Sequence, residues 1–143
     1  MAIRIILADQ HHSMRQDLRR LLSAEPGLRV VAEADSGRQT LKLARELAPH
    51  VVIMDISMPD LKGLEAIDRL QAEAPGVKVI ALSMHADSLF VLNTLKAGAC
   101  GYLLKDCALE ELVKAVRTVA QAQKTYLSPG LSAAVIWESA RGK

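Results

Sequence analysis

Two aspartates, a serine and a lysine each close a short apolar run in this chain. Asp9 follows Ile5-Ile6-Leu7-Ala8, and Asp55 follows Val51-Val52-Ile53-Met54. Ser83 follows Val79-Ile80-Ala81-Leu82, and Lys105 follows Gly101-Tyr102-Leu103-Leu104. Runs of this length and composition read as strands buried on both faces. Parallel strands align their carboxyl ends along one edge, which is where open α/β sheets place their chemistry. Residues far apart in sequence then become neighbours: two carboxylates, a hydroxyl and an ammonium group. A carboxylate repels an anionic phosphoryl donor. A divalent cation and a lysine beside it offset that repulsion. Mg²⁺ suits the task because it takes oxygen ligands octahedrally and keeps several waters.

Taken singly, these residues are weak signals. An acid that ends a first strand often caps the next helix, and a lone lysine is usually a surface residue. Their joint occurrence on separate strand ends carries the signal. Around Asp55 it sharpens further, because Pro59 and Gly63 turn the chain just beyond the strand.

The elements that must position these groups alternate along the chain. Strands are expected at residues 3–8, 28–34, 51–54, 77–82 and 100–104. Helices are expected at residues 12–24, from Asp35 or Ser36 to about 48, and at 63–73, 87–97 and 107–122. Met14, Leu18, Leu21 and Leu22 form the apolar stripe of the first helix. Pro26-Gly27 and Pro75-Gly76 end the first and third helices, and Gly98 stops the fourth. Strands alternating with helices through short connections give a parallel sheet covered on both faces. Five such units fit the flavodoxin-like (βα)5 three-layer sandwich with strand order 2-1-3-4-5.

At 143 residues the chain is long enough for one full hydrophobic core. Half of it is apolar but only 3% is aromatic, so aliphatic side chains must fill that core. A net charge of +2 is too small to indicate nucleic-acid or membrane binding. The two cysteines, Cys100 and Cys107, form no CxxC pair and read as buried, reduced thiols of a cytoplasmic protein. The start of the chain has neither signal-peptide nor membrane-span character. His11 and His12 are read as solvated or helix-start residues, since no cysteine or further histidine falls at zinc spacing.

The string Asp55-Ile56-Ser57-Met58-Pro59-Asp60-Leu61-Lys62-Gly63 resembles the phosphoacceptor site of two-component response regulator receiver domains. The resemblance covers residues 2 to about 123. It implies that Asp55 is the phosphoacceptor, that Asp9 and the backbone carbonyl of Ser57 are metal ligands with Asp55, and that the cofactor is Mg²⁺. It also implies that Ser83 hydrogen-bonds the phosphoryl group, that Lys105 pairs with it, and that Tyr102 is an aromatic switch turning inward when Ser83 moves. The strings Gly98-Ala99-Cys100-Gly101-Tyr102-Leu103-Leu104-Lys105-Asp106 and Tyr126-Leu127-Ser128-Pro129 are most similar to the NarL/FixJ subfamily. Its members carry a C-terminal helix-turn-helix DNA-binding domain.

One departure stands out. Receivers usually carry two adjacent acids after the first strand, and here the pair is Asp9-Gln10. The missing acid is the one expected to ligate the metal directly. A unit charge at ~4 Å is worth up to ~4 kcal/mol at an effective dielectric of ~20, so Mg²⁺ should bind about tenfold or more weakly. The amide oxygen of Gln10 can still coordinate weakly or hold a metal-bound water.

Beyond the receiver at residues 1–123, residues 124–143 read as a linker and helix toward an output domain outside this chain. Ser128 is the expected N-cap and Pro129 the first helical position. The expected function is a non-enzymatic, phosphorylation-controlled switch in transcription. Its partners would be a sensor histidine kinase and, in some settings, a second copy of itself, with DNA reached only through the output domain and no membrane contact. The alternative is a degenerate receiver that works as a phosphorylation-independent interaction module, which Gln10 favours. A flavodoxin-like cofactor binder is disfavoured, because no glycine-rich loop follows the first strand.

Overall fold

The computed structural model describes residues 2–58, 63–84, 87–129 and 131. The elements run β1 Ile3–Ala8, α1 His12–Ser23, β2 Leu28–Ala34, α2 Gly37–Leu47, β3 Val51–Asp55, α3 Gly63–Glu73, β4 Lys78–Ser83, α4 Ser88–Lys96, β5 Gly101–Leu104, α5 Leu109–Arg117 and β6 Tyr126–Leu127. All strand pairs are parallel, and the sheet order is β2-β1-β3-β4-β5-β6.

Side-chain alternation along the strands divides the core in two. Ile6, Ala8, Val52, Met54, Val79, Ala81 and Tyr102 face one side, with Leu41 of α2, Ile67 and Leu70 of α3 and Val91 of α4. Ile5, Leu7, Val51, Ile53, Ile80, Leu82 and Leu103 face the other, with Leu22 of α1 and Leu112, Val113 and Val116 of α5. Three helices therefore cover one face and two the other, as the five-unit alternation requires. Because β3 is fully buried along its length, Asp55 at its end emerges from the middle of the sheet.

Local chemistry sets the boundaries. Ser36 caps α2, its hydroxyl accepting the N–H of Gln39 at 3.1 Å. Gln39 answers by accepting the N–H of Asp35 at 2.9 Å, which closes a reciprocal cap. Gly98, which ends the α4 segment, sits at φ +123°, and a Cβ there would lie 2.3 Å from Cγ of Gln71.

Four details differ from the sequence expectation. The sheet has a sixth strand, because Tyr126 and Ser128 donate their N–H groups to the carbonyls of Cys100 and Tyr102, both at 3.0 Å. β5 is thus not an edge strand. The fifth helix closes in a π-helical turn, Thr118–Ala122, ending at Gln123 in the left-handed region. Leu21 of α1 is exposed, and Arg15 takes a buried place in that helix instead. Cys100 and Cys107 are free thiols but only half-buried. The expected tail helix lies outside the described residues, apart from its first positions. Among those, Ser128 serves the sheet: its hydroxyl accepts the N–H of Leu104 at 3.1 Å.

Candidate functional site

β1 and β3 lie side by side, with Ala8 opposite Met54. Asp9 and Asp55 follow directly at the carboxyl edge, and both are buried. Each carboxylate is fixed by the residue two positions on, the Asx-type turn that aspartate favours. Asp9 Oδ1 accepts the N–H of His11 at 2.8 Å. Asp55 Oδ1 accepts the N–H of Ser57 at 2.9 Å and its hydroxyl at 2.7 Å.

Lys105 completes the group. Its backbone N–H bonds the carbonyl of Ser83 at 2.9 Å, which ties the end of β5 to the end of β4. Its ammonium donates to Asp55 Oδ2 at 3.0 Å and pairs with Asp9 Oδ2 at 3.3 Å. The lysine side chain is only 8% exposed. Burial pushes the Asp55 carboxyl up, but the Ser57 hydroxyl, the Ser57 N–H and the Lys105 ammonium outweigh it. The group is held below the usual carboxylate range.

Ser83 is buried one position past Leu82, the register partner of Asp55. Its hydroxyl is hydrogen-bonded to Tyr102. Tyr102 is fully buried and meets Phe90 edge-on, with ring centroids 6.4 Å apart. Burial, together with the charge of Asp87, raises its phenol above the ordinary value despite the Ser83 bond. Tyr102 thus already occupies an inward position.

Gln10 is exposed and donates its amide N–H to the carbonyl of Ser57 at 3.3 Å. The carbonyl expected to serve as a metal ligand is therefore engaged by the residue that replaces the missing acid.

The structure brings in two residues that the sequence did not mark. His11 Nδ1 lies 3.1 Å from Asp9 Oδ1 and 3.9 Å from Asp55 Oδ2. Arg15 donates to the backbone carbonyl of Asp9 at 2.5 Å and to Glu33 at 2.9 Å, which braces the β1 end from behind. The two-residue spacing from Asp9 to His11, equal to that from Asp55 to Ser57, is the signal that could have found the first. His85, two residues past Ser83 and from sequence a candidate for controlling access to the phosphoryl group, lies outside the described residues, as does Asp60.

The residues present fit a dication. One ligand atom each from Asp9, His11 and Asp55 lie within 4.8 Å of one another. Asp9 Oδ2 is buried without a hydrogen bond, although the Lys105 ammonium stands beside it. Above this group is an open cleft of about 340 Å³ lined by His11, Met14, Ser57, Met84, Lys105 and Asp106. A larger cavity of about 590 Å³ lies at the opposite end of the sheet, among Ala44, Ala48, Pro49, Pro75 and Val77. It is remote from the carboxylates, and two of its charged lining residues, Arg45 and Glu73, are ion-paired with each other.

Residues 5–117 match the response regulator receiver domain model. The chain belongs to the response regulator receiver domain family. This receiver is 40% identical over 137 residues to the response regulator GacA of Pseudomonas protegens, covering 96% of the chain and 64% of GacA. It therefore spans a little under two thirds of that relative. Its structure superposes with a TM-score of 0.90 on a LuxR-family two-component response regulator from Aurantimonas sp. SI85-9A1, at 33% identity over 98% of the receiver and 99% of that chain. It also matches the isolated REC domain of RcsB from Salmonella enterica serovar Typhimurium, solved with the phosphomimetic BeF3⁻, with a TM-score of 0.85. There the identity is 25%, over 94% of the receiver and 99% of that chain. These relatives agree with the NarL/FixJ-like reading of the sequence. No helix among the described residues is long and apolar enough to cross a membrane.

Proposed function

We propose that this receiver is a phosphorylation-controlled switch in which Asp55 accepts a phosphoryl group from a sensor histidine kinase. The observation that carries this function is the Lys105 ammonium, 3.0 Å from the fully buried Asp55 Oδ2. A carboxylate oxygen of Asp55 attacks phosphorus, the bond to the donor nitrogen breaks, and the donor imidazole keeps the electron pair. Ser57 holds Oδ1 by two hydrogen bonds, which leaves Oδ2 as the oxygen beside the lysine. Lys105 then pairs with the new dianionic group. Ser83 donates to a phosphoryl oxygen in exchange for its bond to Tyr102, so the occupancy of Asp55 is transmitted to a core aromatic. Asp9, Asp55 and the carbonyl of Ser57 would hold Mg²⁺, with Gln10 contributing weakly or through water. When bound, Mg²⁺ supplies positive charge against the phosphoryl oxygens. For the carbonyl to serve, the Gln10 amide must release it.

The similarity to GacA and to a LuxR-family regulator supports an output that is transcriptional. The chain beyond β6 would lead to a helix-turn-helix domain that contacts DNA, and the receiver, which includes β6, would act from the cytoplasm, alone or as a homodimer. Acetyl phosphate with Mg²⁺ should add one phosphoryl group by intact mass spectrometry. No gain at saturating Mg²⁺ would move the assignment to a phosphorylation-independent interaction module.

A further inference from the structure

At the amino end of the sheet, and independent of the phosphoacceptor function, we propose that the cavity between the C-terminal ends of α2 and α3 binds a small organic acid. The ligand class is a carboxylate carried on an apolar ring or short chain.

The shape sets the apolar half of that ligand. The cavity is about 590 Å³, and small-molecule sites occupy ~300–1,000 Å³. Ala44, Pro49 and Val77 are buried and line it with apolar surface. At Gly76 an added Cβ would meet nothing within 4 Å. A ring or alkyl chain gains by leaving water for such a surface.

The polar groups set the other half. The acceptors around the cavity are engaged. Glu73 gives Oε1 to Arg45 and Oε2 to Arg69, the latter at 3.2 Å. The carbonyls of Ala44 and Ala74 accept the N–H groups of Ala48 and Val77, both at 3.0 Å. The Ala48 carbonyl takes the Arg4 guanidinium at 3.1 Å. The donors are not used up. Arg45 spends one terminal nitrogen on Glu73, and the rest of its fork has no partner among the described residues. His50 Nδ1 accepts the Arg4 N–H at 2.9 Å, so Nε2 carries the ring proton and is a second donor. A site with donors to spare and its acceptors engaged suits a ligand that brings acceptors. A guanidinium fork matches the two oxygens of a carboxylate. The ends of α2 and α3 carry partial negative charge, which Arg45 in the last turn of α2 and Arg4 on the Ala48 carbonyl offset.

The test uses the full chain and hydrocinnamate, with hydrocinnamyl alcohol as the neutral counterpart, each titrated by amide NMR. In wild type, hydrocinnamate should shift the amides of Ala48, His50, Gly76 and Val77, and the alcohol should bind about tenfold more weakly. Arg45→Gln should erase that preference. The double change Arg45→Gln with Glu73→Gln should erase it too, because it removes the acid that the single change leaves without Arg45. Lys42→Gln, at an exposed position of α2 outside the cavity lining, should preserve it. Gly76→Leu should weaken both probes by filling the space. No shift at those amides, equal binding of acid and alcohol by wild type, or a preference that survives in the double variant overturns the proposal. So does an equal loss in Lys42→Gln, which would reduce the attraction to net charge. Undiminished binding to Gly76→Leu overturns it as well, since the probes would then sit elsewhere.

Discussion

Asp55 has no solvent exposure and is held by the Ser57 hydroxyl, the Ser57 N–H and Lys105. Its folded carboxyl titrates below the ordinary value of 3.8. A depressed carboxylate stabilises the fold above its unfolded value and loses that contribution as pH falls through the folded one. The urea midpoint should therefore drop on acidification below about 3.8, and the drop should be shallower in Asp55→Asn. An equally steep decline in both proteins would assign the acid sensitivity elsewhere. Beside Asp55, the amide at position 10 is expected to lower the cation affinity. Gln10→Asp adds a charge worth up to ~4 kcal/mol at an effective dielectric of ~20, before desolvation is subtracted. Mg²⁺ affinity should rise by about tenfold or more, and an unchanged titration would show that charge is not what limits binding.

At the scale of elements, the strand ends were legible and the chain's return to the sheet was not. β1, β3, β4 and β5 declare themselves as apolar runs, and the polar residue closing each run marks the chemical edge. Asp9, Asp55 and Lys105 meet there because parallel pairing leaves no other arrangement. β6 has only two residues and no run to announce it. Ser128-Pro129 carries the signature of a helix start, and from sequence that signature hides a second use of the serine. In the fold the Ser128 hydroxyl accepts the Leu104 N–H, one residue before Lys105. Ser128→Ala leaves that N–H unpaired at a half-buried edge and should cost about 1–3 kcal/mol by denaturant unfolding. A loss within ~0.5 kcal/mol, the range of ordinary surface substitutions, would mean that water replaces the serine. Gly98 stops the α4 segment, and the structure adds the reason. The residue needs positive φ, and a Cβ would strike Gln71. Gly98→Ala should lower the melting temperature, and an unchanged melting curve would show that Gln71 moves aside without strain.

At the scale of the whole molecule, the sheet does two things with one set of strands. Its alternating side chains build two aliphatic cores, and its carboxyl edge gathers two carboxylates around a lysine. Tyr102 joins these roles, because it lies in one core while its hydroxyl reaches Ser83 at the edge. His11 was only half legible: its two-residue spacing from Asp9 is in the sequence, but only the meeting of β1 with β3 brings Asp55 within 3.9 Å of its ring. That edge is proposed to accept a phosphoryl group, and the most direct measurement is the intact mass after acetyl phosphate at saturating Mg²⁺. Wild type should gain a single acid-stable, base-labile phosphoryl group, and Asp55→Asn should gain none. No gain in wild type, or a gain that persists in Asp55→Asn, would contradict the assignment of Asp55 as the phosphoacceptor.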